Sequence, residues 1–87
     1  MTDETLLTFP CEFPIKMMGR DTPEFGDTLR MLVEKHVGPI DDAAIRKALS
    51  RNGNFVSITI TVTAQSQEQL DEIYRDVTDH EEVLMAL

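Results

Sequence analysis

The chain has one cysteine, Cys11, no tryptophan, and only four glycines and four prolines among its 87 residues. A single thiol cannot form an intrachain disulfide, so the core must hold the fold without a covalent staple, as suits a reducing compartment. No apolar run approaches the roughly 20 residues that span a bilayer, and no basic, apolar, small-residue leader opens the chain. The expected location is therefore cytoplasmic, with no membrane partner. Basic residues are also scarce, 8 against 16 acidic ones, and a net charge of −8 opposes nonspecific binding to a polyanion. The length excludes two domains. What remains, 41% apolar and 28% charged residues, is the composition of a folded globular domain.

Residues 1–11 read as an extended N-terminal arm, because Pro10 and Pro14 forbid helix around Cys11. The single domain is expected to run over 12–87. Phe13, Ile15 and Met17 alternate with Pro14, Lys16 and Met18, the period of a strand with one buried face. Pro14 lacks an N–H and should sit at the strand's start or where that position has no neighbour. Thr22-Pro23 supplies a cap and a favourable first helical residue. Phe25, Leu29, Leu32, Val33 and Val37 then share one helical face, and Gly38-Pro39 ends it. Residues 40–50 fit helix or strand locally. Asn52-Gly53 signals a hairpin, which requires an incoming strand at about Ile45 to Ser50 before the alternating run from Asn54 to Thr63. Ser66 and Gln69 have capping-box spacing and open a second helix to about Thr78, with Leu70, Ile73, Tyr74 and Val77 on its apolar face. Val83, Met85 and Leu87 alternate with Glu82, Leu84 and Ala86 as a last strand.

The order βαββαβ, with two amphipathic helices for one sheet, predicts an α+β ferredoxin-like sandwich: four antiparallel strands with both helices on one face. The other face is then open, and it presents the uncharged row Phe55, Ser57, Thr59 and Thr61. That row is the candidate partner surface.

Chemistry-bearing residues are few and scattered. His36 and His80 fall at helix C-termini, where an imidazolium meets a favourable dipole. No pair among Cys11, His36, His80 and the acids has zinc-ligand spacing, so neither metal nor cofactor is expected. Cys11 lies in a proline-flanked segment rather than at a helix N-terminus, and reads as an ordinary thiol. Glu68, Asp71, Glu72 and Asp76 lie opposite Leu70, Ile73 and Val77, which makes them a solvated face rather than an acid/base pair. No catalytic residue is identified, and the chain reads as a non-enzyme. Charge is lopsided: Ala43 to Ala64 carries Arg46, Lys47 and Arg51 with no acid, whereas Gln65 to Leu87 carries seven acids against Arg75. RNA-recognition modules share the βαββαβ order but stack bases on several sheet aromatics, and this strand offers only Phe55. No nucleic-acid partner is expected.

Several of these residues also form a set. Phe9-Pro10-x-x-Phe13-x-x-Lys16-x-Met18-Gly19, Ser50-x-x-Gly53-x-Phe55-x-Ser57, Gln69 and Tyr74, and Val83-x-Met85-x-Leu87 resemble the YbeD-like family of small uncharacterised bacterial proteins. The resemblance runs from about Leu7 onward, with Phe55 where the family more often has tyrosine. It implies a cytosolic βαββαβ protein, likened by fold to the small-molecule-sensing ACT domains, and brings no activity with it. Such sensors often carry Asp-x-Pro-Gly-x-Leu after the first strand; here Asp21-x-Pro23 is followed by Glu24. Two functions follow as expectations. The first is a non-catalytic regulatory or protein-interaction module, self-associating or docking a partner through the open face or an edge strand. The alternative is a sensor of an amino-acid-type anion at Gly19, Arg20, Asp21 and Thr22, where helix N–H groups favour negative charge.

Overall fold

The computed structural model describes residues 8–50 and 52–87. Strand β1 (Cys11–Arg20) leads to helix α1 (Phe25–Val37), and a single 3-10 turn (Asp42–Ala44) precedes β2 (Ile45–Leu49). Then come β3 (Phe55–Ala64), α2 (Gln67–Asp79) and β4 (Val83–Ala86). All pairings are antiparallel, in the order β2-β3-β1-β4. This is the expected ferredoxin-like βαββαβ arrangement. Most of the arm assigned to residues 1–11 lies outside the described residues.

One layer of side chains forms the core. Ile15 and Met17 of β1 and Val56, Ile58, Ile60 and Val62 of β3 point to the same side of the sheet, onto Phe25, Leu29 and Val33 of α1 and Leu70, Ile73 and Val77 of α2. Each such side chain contributes about 1.5–3 kcal/mol by leaving water. The alternate residues of β1 and β3 face away from both helices.

The observed boundaries differ from the expected ones for local reasons. β1 extends two residues beyond Phe13 and two beyond Met18, because the ten-residue β3 pairs with it from Cys11↔Ala64 to Arg20↔Phe55. The strand therefore takes in Cys11, the last residue assigned to the arm. Pro14 is accommodated as its chemistry requires. Lys16 exchanges both backbone bonds with Leu87 across the β4 edge, so the nitrogen of Pro14 points to that same edge, beyond the end of the ladder. α1 starts at Phe25 rather than Pro23: Thr22-Pro23-Glu24 forms a turn in which the Phe25 N–H donates to the Thr22 carbonyl, and no side chain caps the helix. Gly38 ends α1 with φ +82°, its N–H donating to the Glu34 carbonyl, as the sequence indicates.

The ambiguous 40–50 stretch contains both options, one 3-10 turn and then a strand. It is held by a clip that the sequence did not show. Arg30 of α1 bonds Glu34, Asp42 at 2.7 Å and the Ile40 carbonyl, while Glu34 accepts from the Ile40 N–H at 2.8 Å. The hairpin closes through Ser50 and Phe55 rather than by a two-residue turn, with Gly53 at φ +76°.

The largest departure is in β4. Met17 pairs with Ala86 and Met18 with Met85, but Gly19 pairs with Val83, so one extra residue, Leu84, bulges from the strand. Strict alternation would put Val83, Met85 and Leu87 on one face. The bulge instead turns Val83 and Ala86 to the core, and Met85 and Leu87 to the open face beside Met18 and Lys16.

Candidate functional site

The open face can be laid out from the strand registers. Across β2, β3, β1 and β4, one row reads Ala48, Ser57, Met18, Met85, and the next reads Arg46, Thr59, Lys16, Leu87. Phe55 pairs with Arg20 at one end of the face, and Thr61 with Pro14 and Thr63 with Glu12 towards the other. The candidate residues Phe55, Ser57, Thr59 and Thr61 thus fall on one surface. What the sequence did not assemble is their surroundings. Met85 is 51% exposed, Leu87 62% and Phe55 39%, so large apolar side chains stand around the hydroxyl row with no layer of the described residues above them. The β4 bulge hid Met85 and Leu87 from an alternation argument. Met18 had a signal, since it falls off the core face of β1, but no sequence pattern showed which β4 residue lies beside it.

Charge on this face runs opposite to that of the whole chain. Lys16, Arg20 and Arg46 are exposed here with one acid, Glu12, at the far end. Among the described residues none of these three cations pairs with a carboxylate, whereas Arg30, Lys35, His36 and Lys47 all do. The Arg20 guanidinium lies 5.8 Å from the centroid of the Phe55 ring, a cation–π distance that holds its charge against the sheet. Near Thr61 a shallow depression of about 400 Å³ brings Arg46 together with Glu12 and Asp41, and there the positive surface ends.

The turn after β1 is the second candidate. Gly19 is buried, and a Cβ there would lie 2.5 Å from both the Glu82 carbonyl oxygen and the Phe25 ring, so this backbone serves packing. Asp21 pairs with Lys47 at 3.7 Å. Thr22 is the unexplained member of the set: its hydroxyl is buried without a hydrogen-bond partner among the described residues, and it does not cap α1. A cavity of about 180 Å³ is lined by Arg20, Thr22, Glu81, Glu82 and Leu84.

The remaining titratable groups have structural partners. His36 donates from Nε2 to Asp76 Oδ2 at 2.6 Å, and Lys35 lies 3.7 Å from the same carboxylate, so α1 and α2 are joined across their packing seam. Asp76 is therefore not part of the solvated stripe in which the sequence placed it. The bond from His36, with help from Lys35, holds its carboxyl below the usual range. The His80 imidazole accepts the Glu82 N–H at Nδ1, 3.2 Å, and so orders the turn into β4. Tyr74 meets Phe13 edge-on at 6.5 Å and donates its hydroxyl to the Leu87 carbonyl at 2.8 Å, and burial pushes its phenol up. Ser66 accepts the Gln69 N–H at 3.1 Å as the capping box predicts. The Gln69 side chain, instead of returning to Ser66, accepts from the Gln65 N–H and donates to the His36 carbonyl. Among the described residues no three His, Cys, Asp or Glu side chains converge as metal ligands, and no helix is long and apolar enough to cross a membrane.

Comparison with known proteins places this architecture. A UPF0250 protein of Paraburkholderia phytofirmans is 42% identical over 85 residues, covering 98% of this chain and 96% of its own. The UPF0250 protein NE1487 of Nitrosomonas europaea is 39% identical over the full length of both chains, 87 residues. The solution structure of protein HP0495 from H. pylori matches with a TM-score of 0.79 at 18% identity, covering 97% of this chain and 88% of that one, which is a likeness of fold. The family model described as "Protein of unknown function (DUF493)" matches residues 4–87. The chain therefore belongs to the UPF0250 family of DUF493 proteins, the YbeD-like family whose sequence motifs it carries.

Proposed function

We propose that this protein is a non-catalytic docking module that holds a second protein on its open sheet face. The observation that supports the reading is the surface that the described residues leave uncovered: Met18, Met85, Leu87 and Phe55 stand exposed or half-exposed around Ser57, Thr59 and Thr61, and α1 and α2 both lie behind the sheet. Apolar side chains gathered on one face gain free energy when a partner removes them from water. A second copy is a poor occupant. Face-to-face pairing would set Lys16, Arg20 and Arg46 against the same cations, and the exposed β2 edge carries Arg46 beside Lys47, the kind of charge that deters strand-to-strand pairing.

A photo-cross-linking residue placed at Thr59, and separately at Asp71 on the outer surface of α2, tests the reading in living cells. The expected result is a discrete adduct with a different protein from position 59 that disappears when Met85→Asp is added. Adducts from position 71 alone, or an adduct with a second copy of the chain, would overturn it.

A small-ligand reading is supported separately by the unpartnered Thr22 hydroxyl. Arg20 on one side and Glu81 and Glu82 on the other give that cavity both signs of charge, as a zwitterion of amino-acid size would need. A panel of amino acids should then raise the melting temperature of the wild type and not of Thr22→Val, because a ligand that binds the native state stabilises it. An unchanged melting temperature across the panel removes this reading.

A further inference from the structure

We infer that the partner on the open face is acidic: a protein segment presenting apolar side chains flanked by carboxylates. This rests on the docking reading above and adds the chemistry of the occupant. Surface cations without a carboxylate partner are concentrated on the open face. Behind the sheet Arg30, Lys35 and Lys47 each have a carboxylate within 4.0 Å and Arg75 of α2 has none, whereas on the open face all three, Lys16, Arg20 and Arg46, have none among the described residues. In a chain with twice as many acids as bases, 16 against 8, three cations without a carboxylate partner among the described residues make this apolar face locally positive.

The layout sets the occupant's shape. Lys16 and Arg20 are four residues apart on β1, roughly 13 Å, and Arg46 stands two strands from Lys16, roughly 10 Å away. Met18, Met85 and Leu87 lie along the β1–β4 side of that triangle. A partner that seats Leu, Met or Phe side chains on the methionine row therefore meets the cations at its flanks if it carries Asp or Glu there. Unlike exposed ion pairs, which contribute little by themselves, charges at the rim of an apolar contact select the partner and its orientation. A nucleic acid fits less well. Only Phe55 offers a stacking surface, and a strand longer than the face would run over Glu12, Asp41, Glu81 and Glu82 at its borders.

A random-peptide phage library panned on the full-length protein tests this. The expected binders combine Asp or Glu with large apolar residues and perturb the amide resonances of Met18, Ser57, Thr59 and Met85. They should lose affinity as salt rises from about 0.1 M to about 1 M, where the screening length falls from ~10 Å to ~3 Å. Lys16→Glu should weaken them about tenfold, whereas Arg75→Glu, the same change of net charge on α2, should leave them unchanged. Neutral or basic binders at the same resonances would overturn the charge inference and leave the docking face standing. Acidic binders that map elsewhere, or the recovery of no binder, would overturn both. Tighter binding of an oligouridine probe at these resonances would overturn the inference in favour of RNA.

Discussion

Asp76 lies at the margin of the acidic stripe of α2, and a helical projection alone gives it to solvent. Its actual position follows from the α1–α2 seam, where His36 and Lys35 of the neighbouring helix reach the carboxylate. Because the folded-state pKa is lowered, the bond stabilises the protein fully above the ordinary carboxylate value of about 3.8 and is lost as pH falls through the lower folded value. Asp76→Asn should therefore melt below the wild type at neutral pH, and the gap should narrow below about pH 4 and close in strong acid. A gap independent of pH would show that packing, not charge, is what Asp76 supplies. Thr22 is the opposite case. Its place before Pro23 signalled a cap, yet the chain turns two residues before the helix begins, which leaves the hydroxyl buried and unused. Sequence spacing specifies which residues can cap; it does not specify where tertiary packing, here Phe25 against Gly19, lets the first turn start.

At the level of elements, the signals that held were local and chemical. Ser66 predicts the start of α2 because only its own hydroxyl and the N–H three residues on are needed. Ser66→Ala should cost about 1 kcal/mol, seen as a fall in melting temperature of about 4–8 °C for a domain of this size. An unchanged melting temperature would mean that the Gln69 bonds to Gln65 and His36 hold the helix end by themselves. The signals that failed were non-local. The strand at Ile45 was legible from the hairpin after it, but the turn before it was not, because Arg30 and Glu34 of α1 fix Ile40 and Asp42. β4 loses its alternation because Val83 and Ala86 must both reach the core from opposite sides of Leu84.

For the molecule as a whole, the order of elements was enough to specify the sheet and the side on which both helices pack, since two amphipathic helices and four strands of this length have few ways to share one core. The uncharged row Phe55, Ser57, Thr59 and Thr61 was legible for the same reason, as the parity of one long strand. The character of the face around it was not. Its cations come from β1 and β2 and its exposed apolar residues from β1, β3 and β4, and only the registers bring these segments together. The bulge at Leu84 has one more effect. Val83 and Ala86 are constrained by core volume, while the Met85 and Leu87 side chains stand outside the core. Substitutions at Met85 and Leu87 can thus retune the outer surface one residue at a time while the interior stays fixed, so under the proposed docking role the same fold can be fitted to different partners.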